Sequence, residues 1–202
     1  MFVDLSVLLN EETPVYPGDP QTHITPAGLL HKDGYKDHYV CIGTHVGTHM
    51  DAPSHMLENG KNLNDFPLER FSGRGVLIEV NESFNIEEVK SAAVQKGDVV
   101  LFNTELSARY QEDVYFTDYP AMSEEIAQFL IEKEVGIVGV DTCSVDNIDG
   151  FPIHKLLLQN EVLIIENLTN LKILRGKNFR VHAFPVKLAI DGAPVRAVAE
   201  LI

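Results

Sequence analysis

Apolar and polar positions in the second half of the chain fall into alternating blocks. Gly75-Val76-Leu77-Ile78-Glu79-Val80 and Val99-Val100-Leu101-Phe102 are short, nearly unbroken apolar runs. Ile137-Val138-Gly139-Val140 and Val162-Leu163-Ile164-Ile165-Glu166 repeat the pattern. Such runs read as strands buried on both faces. The segments between them carry helix signals. Asn85 and Glu88 have capping-box spacing at the head of a helix over Ile86–Gln95, and Gly97 suits its stop. Ser123 precedes a helix with Glu124 and Glu125 in its first turn and Lys133 near its last. Pro152 opens a third, short helix through Leu158. Strands alternating with helices predict a sheet joined by right-handed crossovers.

Both ends of the chain read differently. The N-terminal third is turn-rich and strand-like, with Pro14, Pro17, Gly18 and Pro20 close together, and Ala183–Ile202 is again β-rich. One mixed α/β domain over residues 1–202 is the expectation. The stretch 103–120 breaks the alternation. It is polar, yet it holds Tyr110, Tyr115, Phe116 and Tyr119. Its length and aromatic content favour a loop over the active site, with a subunit contact as the alternative.

Bulk properties narrow the function classes. With 30 acidic against 16 basic residues the net charge is −14, which argues against nucleic acid or an anionic membrane surface as partner. The N-terminus has no basic flank or long apolar core, and no apolar run approaches the ~20 residues of a membrane span. A cytoplasmic protein acting on a small molecule is expected. Cys41 and Cys143 lie in no Cys-x-x-Cys pair and are expected to be buried free thiols.

The chemistry is concentrated in His45-Val46-Gly47-Thr48-His49-Met50-Asp51-Ala52-Pro53-Ser54-His55. Histidine and aspartate are common donors to zinc and similar divalent ions. His45, Gly47, His49, Asp51, Pro53 and His55 all occupy odd positions, the period of one face of an extended chain. A helix would hold Gly47 and Pro53 in its interior, so the segment is not helical. A flat strand fails as well. At roughly 3.3 Å per residue, His45 and His49 would stand about 13 Å apart at Cα, too far to share an ion. The chain must bend, and Gly47 is the natural place. His23, His31, His38 and His182 lack such neighbours and read as ordinary solvated side chains.

Two further donors lie downstream. Glu166 ends a buried strand, where a carboxylate is costly unless paired or metal-bound. His154 sits at the head of the Pro152 helix. Together with the first cluster they would complete a two-metal site. Thr48 is read either as orienting a ligand or as structural, and Tyr16 as a wall for a planar substrate or a packed turn aromatic.

The 45–55 segment resembles the signature of the metal-dependent cyclase-like amidohydrolases, a family that includes bacterial kynurenine formamidase and isatin hydrolase. The likeness extends along nearly the whole chain. It includes Asp4-Leu5-Ser6, Pro14-Val15-Tyr16-Pro17-Gly18-Asp19 and Gly139-Val140-Asp141-Thr142-Cys143-Ser144-Val145-Asp146. It continues in His154, Ile165-Glu166-Asn167-Leu168 and Ala193-Pro194-Val195-Arg196. The resemblance implies a sheet curled into a barrel-like core. It implies two divalent ions, zinc first with manganese as the alternative. One would be held by His45, His49 and Asp51, the other by Asp51, His154 and Glu166, with Asp51 bridging. His55 would then be the catalytic acid–base, and the enzyme a homo-oligomer, dimer or tetramer.

Two positions depart from the formamidase pattern. Tyr16 stands where kynurenine formamidases typically carry a pocket Trp, and Asp149-Gly150-Phe151 replaces a common Ser-Lys pair. An arylformamidase acting on N-formylkynurenine or a similar amide, in tryptophan catabolism, is the expected function. A hydrolase of cyclic amides or lactones is the second reading, and a non-catalytic metal-binding member the third. Retention of His55 speaks against the last, because a pure binder needs no extra acid–base group.

Overall fold

The computed structural model describes residues 1–202. In chain order the strands are β1 (Phe2–Asp4), β2 (His23–Gly28), β3 (Asp37–Cys41), β4 (His49–Asp51), β5 (Ser72–Glu79), β6 (Val99–Asn103), β7 (Ile137–Val140), β8 (Leu163–Glu166), β9 (Phe179–His182), β10 (Gly192–Pro194) and β11 (Val198–Leu201). The helices are α1 (Leu30–Asp33), α2 (Ile86–Ser91), α3 (Glu124–Glu132) and α4 (Pro152–Gln159).

The apolar runs form the centre of a nine-stranded sheet ordered β1-β11-β9-β5-β6-β7-β8-β4-β10. Neighbours from β5 to β8 are parallel, and every other pair is antiparallel. Side chains alternate between two cores, as a pleated strand requires. Leu101, Leu163, Ile165, Phe179 and Val181 point into one cluster, closed by Val3, Ala197 and Ala199. Val100, Phe102, Val138 and Ile164 point the other way, against Val89 of α2, Ile126 and Leu130 of α3, and Leu157 and Leu158 of α4. The helices therefore cover one face while the other curls over its own core.

Residues at the chain ends hold the curl. Ser6 bridges to Leu168 beyond β8, and Thr169 N donates to Leu5 O at 3.0 Å. Arg196 donates to both oxygens of Asp4 at 2.8 and 2.7 Å. Ser6 Oγ accepts from Ala197 N at 2.8 Å. The mixed α/β domain with a barrel-like sheet expected from the sequence is what forms.

Several details differ from the sequence reading. Helix α2 ends at Ser91 rather than Gln95, because the chain turns at Ala93 with φ 50°. Asn85 caps it by accepting from Glu87 N at 2.9 Å, without the reciprocal bond from Glu88. Strand β9 lies in a segment that carried no strand expectation. Cys143 is buried, but Cys41 is exposed on β3, contrary to expectation. There β2 and β3 pair with each other as a separate two-stranded sheet, its side chains largely in solvent. No helix is long and apolar enough to cross a membrane.

Candidate metal centre

Strand β4 is inserted between β8 and β10, antiparallel to both, with His49 opposite Glu166. The period-two spacing puts His49 and Asp51 on the same face. Gly47, at φ +64°, makes the bend that brings His45 back beside them, and a Cβ there would lie 2.5 Å from Leu9 Cδ2. Beyond Asp51 a 3-10 turn over Pro53–His55 carries His55 round to the same cavity.

His49 donates from Nδ1 to Gly47 O at 2.8 Å. Its Nε2 is thereby turned to Asp51 Oδ1 at 3.3 Å and Glu166 Oε2 at 3.4 Å. His154, on α4, donates from Nδ1 to Asp146 Oδ2 at 2.8 Å. Its Nε2 faces Glu166 Oε1 at 3.0 Å and Asp51 Oδ2 at 3.7 Å. Asp146 also accepts from Ile153 N and His154 N, both at 2.9 Å, fixing the start of α4. His45 faces Asp51 Oδ1 through Nδ1 at 2.7 Å.

The predicted donors thus meet as two groups sharing Asp51: His45, His49 and Asp51, and Asp51, His154 and Glu166. The donor atoms of each group lie within 4.8 Å of one another. An ion about 2.1 Å from each of four tetrahedral donors spaces them about 3.4 Å apart, so these separations suit divalent metals. Asp51 supplies the test of fit. It is fully buried, and its Oδ2 has no hydrogen-bond partner. A bare carboxylate oxygen in that position is costly unless a cation takes it.

Electrostatics agree with a cation-binding cluster. Burial alone would lower the pKa of His49, but Asp51 and Glu166 override it and raise it to about 10. His154 is likewise raised to about 10 by Glu166, Asp146 and Asp51 against the effect of burial. His55 moves the opposite way. Burial lowers it, and the neighbouring His45 and His154 add to the effect. His55 belongs to neither Asp51 group. Its ring lies tilted by 31° against that of His45, with centroids 3.8 Å apart, and lines the cavity.

The cavity over the donors has a volume of about 420 Å³. Tyr16, Phe116 and Phe151 supply aromatic walls, and no lysine or arginine lines it. Tyr16 meets Phe116 edge-on at 6.5 Å. Phe151, brought in by the Asp149-Gly150-Phe151 departure, meets the His154 ring edge-on at 5.8 Å.

The 103–120 stretch does border the site, as a fixed wall. Tyr115 is fully buried and donates to Asn167 Oδ1 at 2.9 Å, and Tyr119 donates to Asp146 O at 2.8 Å. Asn167 in turn donates to Gly47 O at 2.9 Å. Thr48 is committed to structure, since its hydroxyl accepts from Val7 N and donates to Asn167 O. His23, His31 and His38 are exposed, and His182 is held by Ser72 and Glu200 away from the site. One residue escaped the sequence reading. Asp191 Oδ2 lies 3.0 Å from His45 Nε2 and 3.5 Å from His55 Nδ1. The only signal was an Asp-Gly pair directly before the quoted Ala193-Pro194 motif.

Comparison with known proteins agrees with this architecture. Residues 3–147 match the family model described as Cyclase. The kynurenine formamidase of Bacillus cytotoxicus is 30% identical over 204 residues, covering 98% of this chain and 96% of that protein. A solved structure of a predicted metal-dependent hydrolase from Bacillus stearothermophilus is 29% identical with a TM-score of 0.79, covering 98% of this chain and 97% of that one. An isatin hydrolase bound to the product analogue thioisatinate superposes with a TM-score of 0.88 over 100% of this chain and 92% of that chain. At 22% identity it shows a common fold. The chain belongs to the Cyclase family, the metal-dependent cyclase-like amidohydrolases.

Proposed function

We propose that this chain is a dinuclear metal-dependent amidohydrolase acting on an aryl formamide of the N-formylkynurenine type. The observation that carries the reading is Asp51, buried between two donor groups with one oxygen left unpartnered. His45, His49 and Asp51 would hold one ion and Asp51, His154 and Glu166 the other, with zinc the first choice and manganese the second. Bound there, the pair supplies an acidified water near neutral pH and a Lewis acid for the substrate carbonyl.

His55 handles the proton. From the cavity wall, where burial lowers its pKa, its free ring nitrogen accepts a proton from the attacking water as the oxygen adds to the carbonyl carbon. It then delivers that proton to the amine nitrogen as the carbon–nitrogen bond breaks. Tyr16, Phe116 and Phe151 form a slot for a planar ring. Identity to the formamidase at 30% favours an open formamide, whereas the isatin hydrolase likeness bears on fold alone. The test is turnover by zinc- and manganese-loaded protein of N-formylkynurenine, isatin and simple esters side by side. Good turnover of isatin with none of any aryl formamide would move the assignment to cyclic amides.

We also infer a cytoplasmic homo-oligomer, dimer or tetramer. The tyrosines of 103–120 are turned inward, which weighs against that stretch as the contact. The β2–β3 hairpin takes its place, because a lone two-stranded hairpin is marginal in water. It leaves Leu30, Tyr35, Tyr39 and Val40 between 53 and 69% exposed. Lys32 and Lys36 balance Asp33 and Asp37 there, so it is a neutral arm on an acidic chain. Light scattering at micromolar protein that gives a monomeric mass would refute this.

A further inference from the structure

Each histidine of the two donor groups has its second ring nitrogen occupied. Gly47 O takes His49 and Asp146 takes His154, each at 2.8 Å. For His45 the partner is Asp191, whose Oδ2 lies 3.0 Å from Nε2. Asp191 differs from the other two supports in one respect. The same oxygen lies 3.5 Å from Nδ1 of His55.

We propose that Asp191 is a positioning residue that ties the metal ligand His45 and the proton carrier His55 to a single carboxylate oxygen. It thereby sets the first metal seat and the acid–base group together.

The backbone around Asp191 is built for such a task. Asp191 O accepts from Ala52 N at 2.7 Å, next to Asp51 itself, and Ile190 O accepts from Leu63 N at 3.2 Å. The carboxylate is thus carried on a segment stitched to the ligand strand. Gly192 follows it, where a Cβ would fall 2.5 Å from His45 Cε1. The main chain therefore touches the edge of the ring that Asp191 holds, and His45 has little room to swing away from its metal face. A carboxylate behind a ligand histidine raises its basicity and fixes its tautomer. The same carboxylate charge, 3.5 Å from His55 Nδ1, favours the tautomer with the hydrogen on that nitrogen and leaves the lone pair of Nε2 for the substrate side. Asp146, dedicated to His154 and the start of α4, has no such second histidine.

The inference rests on the dinuclear reading, and the experiment separates the two. Zinc affinity is measured by competition with a chromophoric chelator for wild type, Asp191→Asn and Asp146→Asn, followed by kinetics at saturating zinc. Both variants should bind zinc about 10–100-fold more weakly. With zinc saturating, Asp146→Asn should regain most of its kcat. Asp191→Asn should remain at least about tenfold low in kcat, with KM little changed, as expected when an acid–base group is misplaced. Long-range nitrogen–proton spectra of the zinc-loaded protein should show His55 as the Nδ1–H tautomer in wild type and as a mixture in Asp191→Asn. An Asp191→Asn protein with wild-type zinc affinity, with kcat fully restored by zinc, or with an unchanged His55 tautomer would overturn the proposal alone. A wild-type protein that binds no zinc would sink the dinuclear reading and this proposal with it.

Discussion

Replacing Thr48 by valine separates structure from chemistry in the middle of the metal-binding segment. Thr48 is 2% exposed. Its hydroxyl accepts from Val7 N at 2.9 Å and donates to Asn167 O at 2.7 Å. Valine matches the shape, so no cavity opens, but both backbone groups lose their partner. Leaving a buried polar group unsatisfied costs about 1–3 kcal/mol. Val7 is only half-buried, so water can reach its N–H, and the low end applies there. Asn167 is buried, and the middle of the range applies to its carbonyl. The added methyl returns about 0.8 kcal/mol. The net expectation is a loss of about 2–3 kcal/mol. Urea unfolding in the presence of chelator, which keeps both proteins metal-free, should show a midpoint lowered by roughly 1 M for an m-value of about 2–3 kcal/mol/M. Thr48→Ser keeps the hydroxyl and should recover more than half of the difference. A Thr48→Val midpoint shift worth less than about 0.5 kcal/mol at unchanged m would refute the assignment of a structural role.

Other outcomes follow from the site. His55→Ala should keep its metal while kcat falls by about 10²–10⁴, whereas His49→Ala should lose metal; equal metal loss in both would make His55 a ligand. Gly192→Ala should fold normally but displace the His45 ring, weakening one of two zinc sites in a chelator titration; two unaltered sites would show that the contact is soft. With His49 and His154 both raised to about 10, the metal-free protein carries both as cations at pH 8, and zinc uptake should release about two protons. The same shifts fix a sign for stability. Those protonated rings stabilise the metal-free fold fully below about pH 6.5, and the contribution is lost as pH rises through about 10. Calorimetry of zinc binding in buffers of different ionisation enthalpy reads the proton count, and a count of zero would contradict the assignment.

How much of this was legible beforehand depended on the range of the interaction. The four parallel strands and three helices announce themselves through local periodicity, because both faces of β6, β7 and β8 are buried and their positions are apolar up to the last residues, Asn103 and Glu166. The convergence of His45, His49 and Asp51 was legible because they sit within one bend at Gly47. Asp191 was not, since its role depends on β10 lying beside β4, a pairing between segments about 140 residues apart. The early end of α2 was missed for a related reason. Ala93 adopts a left-handed turn that an alanine does not advertise, in a segment where Arg74 donates to Ala93 O. Cys41 was misread because composition says nothing of a hairpin that stands clear of the body.

The placement of β4 also governs when the protein comes into being. Both of its edges are filled by strands made much later, β8 after more than 110 residues and β10 after about 140. On the ribosome the first three candidate donors, His45, His49 and Asp51, therefore emerge before either neighbouring strand is available. Contacts of such sequence separation form slowly. Two acids beside that cluster, Glu166 and Asp191, are made more than 110 residues after Asp51. Metal capture at this cluster consequently waits for those later segments, and a chain cut short before Asp191 would carry the His45–His55 signature without the strands that close around it.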